Sequence, residues 1–390
     1  MNVSEISLLV IAGGQSSRMG EDKRWLELDG VNMLEWLLRK AQRQPFKKRY
    51  LCVEKVTGQM QELARRYELD LLVDETAGAG PIEGLRQGLQ VMPTAYALAV
   101  SCDMPLFTFP SAAPLLMAAN GELAIVAEAA GRRQPLASLY HRELSAALAS
   151  ALGRGRRKIG AVLAEVPHRI VNLTPAEAFF NVNTPADLRL VRGRFANSRR
   201  PLPLVTISAP VSNTGKTTFI ERLIPKLRAA GIRPGVVKGD CHGFAVDTVG
   251  KDSWRFQQAG AASVAVVSPD GYFIQRQTAQ RASLLDVANQ LEGVDLVLIE
   301  SRNHGTIPKL SLWRGLGEPV IDEDTAALFS SRPEPDRAVH QYGIDAIAVG
   351  LVLLSNEDNI NAINDENRRV GGFGGFGGGS SSGGGASSGW

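Results

Sequence analysis

Cysteine is scarce in this chain. Only Cys52, Cys102 and Cys241 occur in 390 residues, far apart and odd in number, which fits neither a disulfide framework nor a zinc site and leaves them as small buried residues. A large excess of one charge is also missing. With 43 basic and 40 acidic side chains the formal charge is +3, which argues against a nucleic-acid binder held by bulk charge. Long apolar runs are absent as well. Nothing approaches the ~20 residues needed to cross a bilayer, and the run Ser7 to Ala12 is too short for a signal h-region and lacks a basic flank. A soluble cytoplasmic protein, without membrane or nucleic-acid partners, is expected.

What is present is an ordinary globular composition, 44% hydrophobic and 21% charged, long enough for two or three domains at ~100 to 200 residues each. Short apolar runs at Ser7 to Ala12, Leu69 to Val73, Tyr96 to Val100 and Leu123 to Ala127 alternate with amphipathic stretches. That rhythm predicts a mainly parallel sheet covered on both faces, with ligands at the strand C-terminal ends. It pauses at Arg194 to Pro203, which has two prolines and no apolar period, and resumes at Leu204 to Ile207. Further strands are expected at Gly235 to Lys238, Ser263 to Val267, Asp295 to Glu300 and Ala326 to Ser330. The reading is α/β: a Rossmann-like first domain over 1–194, a linker over 195–203, a second doubly wound, P-loop-like domain over 204–367, and a Gly/Ser-rich tail over 368–390 that cannot offset its ordering entropy.

Directly after the first strand comes IAGGQSSRMGEDK, Ile11 to Lys23. Its glycines, Gly13 and Gly14 among them, let the backbone approach a polyphosphate, while Arg18 and Lys23 supply charge for a phosphoryl-transfer transition state. A plain strand-to-helix turn would need neither cation. In SCDMP, Asp103 ends a buried apolar strand before a proline and is a natural Mg²⁺ carboxylate, with a helix N-cap as the alternative. Asp74 closes another strand, and GAGPIEG, with Gly80 ahead of Pro81, leads into a helix whose open N–H groups reach a nucleotide. In FFNVNTPADL, Asn181 and Asn183 are expected on alternate positions of one strand, holding metal waters or substrate, or else making loop hydrogen bonds.

In this order, and across nearly the whole first domain, IAGGQSSRMGEDK, Asp74, GPIEG, SCDMP, RQPLASLY and NVNTP resemble the molybdenum cofactor guanylyltransferases, the MobA family. The resemblance implies that Ile11, Ala12, Gly13, Lys23 and Asp74 bind GTP and that Asp103 binds GTP and Mg²⁺. It further implies transfer of GMP onto the phosphate of molybdopterin. One departure is Glu54, where some members carry asparagine.

The second motif, SAPVSNTGKTT, lies between a strand and an amphipathic stretch, as a Walker A loop requires. Lys216 would reach phosphates, Thr217 would take Mg²⁺, and the N–H groups of Asn213, Thr214, Gly215 and Lys216, with Thr218 following, would line the phosphate site. Pro210 stands where the leading glycine is usual. Downstream, Asp240 follows one strand and Glu300 ends another, so either acid could order Mg²⁺ or a water. With GVVKGDCHGF, GKDSWRFQQAGA and DLVLIE, this half resembles the molybdopterin-guanine dinucleotide adaptor proteins, the MobB family, which bind GTP and assist the transferase. Gly239 and Ser301 depart from its pattern. The expected partners are the molybdopterin cofactor, molybdopterin-insertion proteins and molybdoenzyme apoproteins or their chaperones, with a homo-oligomer formed through the second domain. Two other readings remain: a cytidylyltransferase or other NTP transferase on a phosphate acceptor, and a GTP-dependent delivery adaptor without turnover.

Overall fold

The computed structural model describes residues 1–13, 20–76, 78–174, 176–229, 231–239, 248–280, 282–301, 307–331 and 339–343. Gly14, Arg18, Asp240 and Cys241 lie outside these residues, as does the tail over 368–390.

The first part of the chain runs β1 (Ser7–Ile11), β2 (Glu27–Leu28), β3 (Val31–Asn32), α1 (Met33–Gln42), β4 (Lys48–Val53), α2 (Gly58–Arg66), β5 (Asp70–Val73) and α3 (Pro81–Val91). It continues through β6 (Tyr96–Ser101), α4 (Ala113–Ala118), β7 (Ala124–Ala129), β8 (Arg132–His141), α5 (Leu144–Gly153), α6 (Ile159–Leu163), β9 (His168–Asn172) and α7 (Pro185–Ser198). Seven strands form one sheet in the order β5-β4-β1-β6-β8-β7-β9, with β2 and β3 as a separate short pair. The continuous apolar run of β1 follows from cover on both faces: Leu8 and Val10 join one buried cluster, Leu9 and Ile11 the other.

The expected mainly parallel sheet is present, apart from β8, which runs antiparallel to both β6 and β7. Periodicity gave no strand there. Pro135 lacks an N–H for the ladder, and the β7–β8 register shifts between Ile125 and Ala127; the Ser138 hydroxyl takes the Ala127 N–H at 2.9 Å.

The second part comprises β10 (Leu204–Ser208), α8 (Lys216–Ala229), β11 (Pro234–Lys238), α9 (Asp252–Gln258), β12 (Ser263–Ser268), β13 (Gly271–Arg276), α10 (Leu284–Ala288), β14 (Leu296–Glu300), β15 (Lys309–Trp313), β16 (Thr325–Ser330) and β17 (His340–Gly343). Its main sheet has the order β11-β14-β10-β15-β16-β17, and every pairing in it is parallel. The strand expected at Ser263 to Val267 is not part of it; among the described residues β12 pairs with β13 alone, as an antiparallel hairpin.

Two further expectations are corrected. The stretch read as a linker, 195–203, is helical as far as Ser198, because Leu190 of α7 packs into the second sheet's core with Val205, Ile207 and Phe329. Beyond Arg194 the helix is held by Asn197, which is fully buried and bonds through its side-chain amide to the backbone of Leu204 at 3.1 Å. Asn181 and Asn183 do not lie on a strand: they belong to the loop that enters α7, where Pro185 and the Thr184–Asp187 capping box start the helix.

Candidate functional site

In the first sheet the chain winds outward from β1 to β4 and β5, then returns to β6 on the other side of β1. Reversal of strand order opens a crevice at the C-terminal ends of β1 and β6. Ile11 and Ser101 are in register there, so Ala12 and Gly13 leave the sheet beside Cys102 and Asp103. Gly13 faces Asp74 and Glu54: a Cβ on it would sit 3.6 Å from Asp74 Oδ2 and 3.7 Å from the Glu54 backbone nitrogen. Burial first, then Glu83 and Glu54, push the Asp74 pKa up to about 6. Gly80 caps α3 with φ +79°, a left-handed conformation that glycine takes without strain.

Lys23 and Asp103 come together. Lys23 Nζ is 3.8 Å from Asp103 Oδ2, with both side chains about four-fifths buried, and donates to Asn183 Oδ1 at 2.7 Å. Asp103 Oδ1 is buried and has no hydrogen-bond partner among the described residues. The Val182 N–H reaches the Asp103 carbonyl at 2.8 Å, fixing the asparagine loop against the end of β6. Asn181, by contrast, bonds only to its surroundings, giving its amide N–H groups to Gln134 Oε1 at 3.2 Å and to the Phe179 carbonyl at 3.1 Å.

Two supporting residues, Arg24 and Lys40, escaped the sequence reading. Arg24 donates to the Ala12 carbonyl at 2.9 Å and to Asp22, tying the far end of the glycine loop to its start. Its place one residue after Lys23 was the available signal. Lys40 donates to the Pro105 and Phe107 carbonyls at 2.7 and 2.8 Å, bracing the turn beyond Asp103, and burial pushes its pKa down to about 8. In the basic run Arg154, Arg156, Arg157 and Lys158, whose sequence reads either as a receiver for the pterin's phosphate or as a solvated charged face, Arg157 donates to the Gly78 carbonyl at 2.7 Å and Arg154 and Arg156 are bound to Glu165. Cys52 and Cys102 are buried thiols, the latter with its pKa pushed up to about 12 by burial and by Asp103.

At the second sheet, Asn213 (φ +61°) and Gly215 (φ +98°) take left-handed backbone, the kind of alternation that turns successive N–H groups toward an anion. Thr214 is buried and donates to the Val211 carbonyl at 2.8 Å. Lys216, Thr217 and Thr218 form the first turn of α8, and the Thr217 hydroxyl lies 3.2 and 3.3 Å from the Glu300 carboxylate oxygens. That contact follows from register, since Glu300 pairs with Ile207 at the end of β10. Pro210 packs against Gly317, whose Cβ would lie 3.5 Å from the proline ring. Arg314, just past β15, is an unforeseen cation here: a Cβ on Gly215 would meet its guanidinium at 3.3 Å.

Two α/β sheets, each with a glycine-containing segment leaving the end of a central strand, belong to the class of nucleotide-handling folds. Comparison with known proteins gives the families. The profile of the MobA-like NTP transferase domain matches residues 8–170, and that of molybdopterin guanine dinucleotide synthesis protein B matches residues 204–330. The molybdenum cofactor guanylyltransferase of Vibrio cholerae is 32% identical over 189 residues, spanning 47% of this chain and 90% of its own. The molybdopterin-guanine dinucleotide biosynthesis adapter protein of Haemophilus influenzae is 38% identical over 151 residues, spanning 37% of this chain and 83% of its own. A crystal structure of molybdopterin-guanine dinucleotide biosynthesis protein A from Archaeoglobus fulgidus is 26% identical with a TM-score of 0.42, covering 47% of this chain and 95% of that one. The chain belongs to the molybdenum cofactor guanylyltransferase family in its first half and to the MobB adapter family in its second.

Proposed function

We propose that the protein transfers GMP from GTP to Mo-molybdopterin, forming molybdopterin guanine dinucleotide and pyrophosphate, and that the fused P-loop half is a GTP-binding adaptor for the same cofactor. Asp103 carries the reading within the families' common chemistry. Its buried Oδ1 has no hydrogen-bond partner among the described residues, which would be costly unless a ligand answers it. A lone hard carboxylate oxygen fits Mg²⁺, which fills its other positions with waters and phosphates. Bound there, Mg²⁺ would neutralise charge on the phosphate oxygens.

The chain's own residues do the rest by position. Gly13 admits the nucleotide backbone-close beside Asp74, which accepts hydrogen bonds from GTP. Lys23, held by Asn183, offsets charge developing on the phosphates, with Arg18 assigned the same task. An acceptor phosphate oxygen attacks the α-phosphorus of GTP in line, the bond to the bridging oxygen breaks, and pyrophosphate leaves; no covalent enzyme intermediate is required. In the second half, Thr217 and Glu300 would hold a further Mg²⁺ beside phosphates cradled by Asn213 to Lys216. The exposed apolar side chains of the β12–β13 hairpin, Val267 and Tyr272 among them, support self-association through this half. Insertion proteins and molybdoenzyme apoproteins are the partners such an adaptor would serve.

Incubation of the full chain with molybdopterin, Mg²⁺ and each NTP in turn, scoring pyrophosphate release, tests the reaction. Release with GTP alone is expected. Release with CTP alone would make it a cytidylyltransferase, and release with none would leave a delivery adaptor without turnover.

A further inference from the structure

Asp187 stands where the two halves of the chain meet, and its carboxylate is shared between them. One oxygen, Oδ2, accepts the N–H groups of Asn183 and Thr184 at 2.9 and 2.8 Å. The other, Oδ1, lies 2.9 Å from Nε2 of His340, a residue of β17 at the edge of the second sheet. Asp187 is 5% exposed, so this arrangement is sheltered from solvent competition. Beyond Asn183 the chain of contacts continues: its Oδ1 holds Lys23 Nζ, and Lys23 faces Asp103. Val182, one residue earlier, is bonded to the Asp103 carbonyl. The asparagine loop is thus strapped to the transferase site at one end and, through Asp187, to the P-loop half at the other.

The contact is built into the fold. His340 is placed by parallel pairing of β17 with β16, where it stands in register with Ala327, and β16 is the strand on which α7 rests. Asp187 reaches it because it occupies the third position of α7, as the acidic member of the capping box. An N-cap function alone needs one carboxylate oxygen. The second oxygen is used across the seam.

We propose that His340 and Asp187 are positioning residues of the transferase: the P-loop half, docked through β17, holds the Asn183 loop in the geometry that aims Lys23 at the reacting phosphates. The inference rests on the reading of Lys23 as transferase machinery. It assigns the second half a direct part in completing the first half's site, in addition to any role in nucleotide binding or cofactor delivery. A small displacement of a charge-stabilising group is felt mainly in the transition state, so kcat should move and KM for GTP should not.

The test uses the full-length chain with GTP, Mg²⁺ and molybdopterin, reading pyrophosphate release and melting temperature together. His340→Ala should lower kcat about tenfold or more while KM for GTP changes less than about threefold. His340→Gln, which keeps a side-chain N–H for Asp187, should restore most of kcat. Asn183→Ala should reproduce the loss, and the double variant should be no worse than the more impaired single, because both break one chain of contacts. Arg189→Ala removes a different seam contact, to the Asp322 carbonyl, and should leave kcat unchanged. Unaltered kcat in His340→Ala, additive losses in the double variant, or an equal loss in Arg189→Ala would overturn the proposal. Lys23→Ala tests the underlying reading separately: full turnover in that variant would remove Lys23 from the machinery, whatever His340 does.

Discussion

Asp74 stands at the end of β5 with Glu54 and Glu83 near it, and its pKa of about 6 lies above the ordinary carboxylate value of 3.8. A carboxyl raised in this way favours the folded state fully below the unfolded pKa, and that contribution is lost as pH rises through about 6. At neutral pH the ionised group is therefore a burden on the fold, and in the proposed site it is the acceptor offered to the nucleotide. Asp74→Asn should raise the melting temperature of the nucleotide-free protein at pH 7.5, give no gain near pH 4, and weaken GTP binding; thermal scans and a GTP titration check all three. For the wild type, kcat/KM for GTP should fall as pH drops below about 6. Asp103→Asn should lower pyrophosphate release at least ~100-fold at saturating Mg²⁺, since hard-cation charge stabilisation is worth several kcal/mol. Retained turnover would remove Asp103 from the metal site.

At the level of elements, α3 is held close to the sheet by Gly84 and Gly88, which lie one helical turn apart. A Cβ on Gly84 would come 2.8 Å from Cys52 Cβ, a stiff neighbour, whereas one on Gly88 would meet the methyl ends of Leu9 at 2.6 Å. Overpacking costs ~1–3 kcal/mol, against a gain of ~1 kcal/mol in helix propensity for glycine to alanine. Both Gly84→Ala and Gly88→Ala should thus be destabilising, since Leu9 is itself fully buried and presents both methyls to Gly88, as denaturant melts would show. The motif GPIEG was legible as a phosphate-type entry into a helix, but its second glycine serves packing. Sequence periodicity equally missed β8, whose proline interrupts the pattern, and the asparagine loop, whose alternating polar and apolar residues mimic a strand. In that loop Val182 is fully buried, and the asparagines diverge to different partners.

For the molecule as a whole, the helix that ends the first half is also part of the second half's core, through Leu190, and the halves are linked again by Arg189 to Asp322 and Asp187 to His340. The opposite extreme is the β12–β13 hairpin, which exposes Val267 at 79%, Tyr272 at 70% and Ile274 at 54%. This clustered apolar exposure is what the proposed self-association would cover. Val267→Asp, which places a charge in that patch, should shift the full chain to a smaller species in analytical ultracentrifugation without lowering its melting temperature. An unchanged mass would count against self-association through this face.

The sequence by itself determined the architecture and the two strand-end loops, because both rest on local information: apolar runs of buried strands, glycines where backbone must approach phosphate, and cations and acids at fixed spacing from them. Residues it singled out separately, Lys23 and Asp103 in one half and Thr217 and Glu300 in the other, lie within reach of each other in the fold. Only the tertiary structure decided what holds them there. Lys40, Arg314 and the pair Asp187–His340 are single polar residues whose partners lie far along the chain, or on strands brought near by topology, and nothing in their own neighbourhoods sets them apart. The seam shows this most clearly, since a residue that reads as a helix cap has its second oxygen committed to a histidine 153 positions away, a distance in sequence that only the packing of α7 on β16 removes.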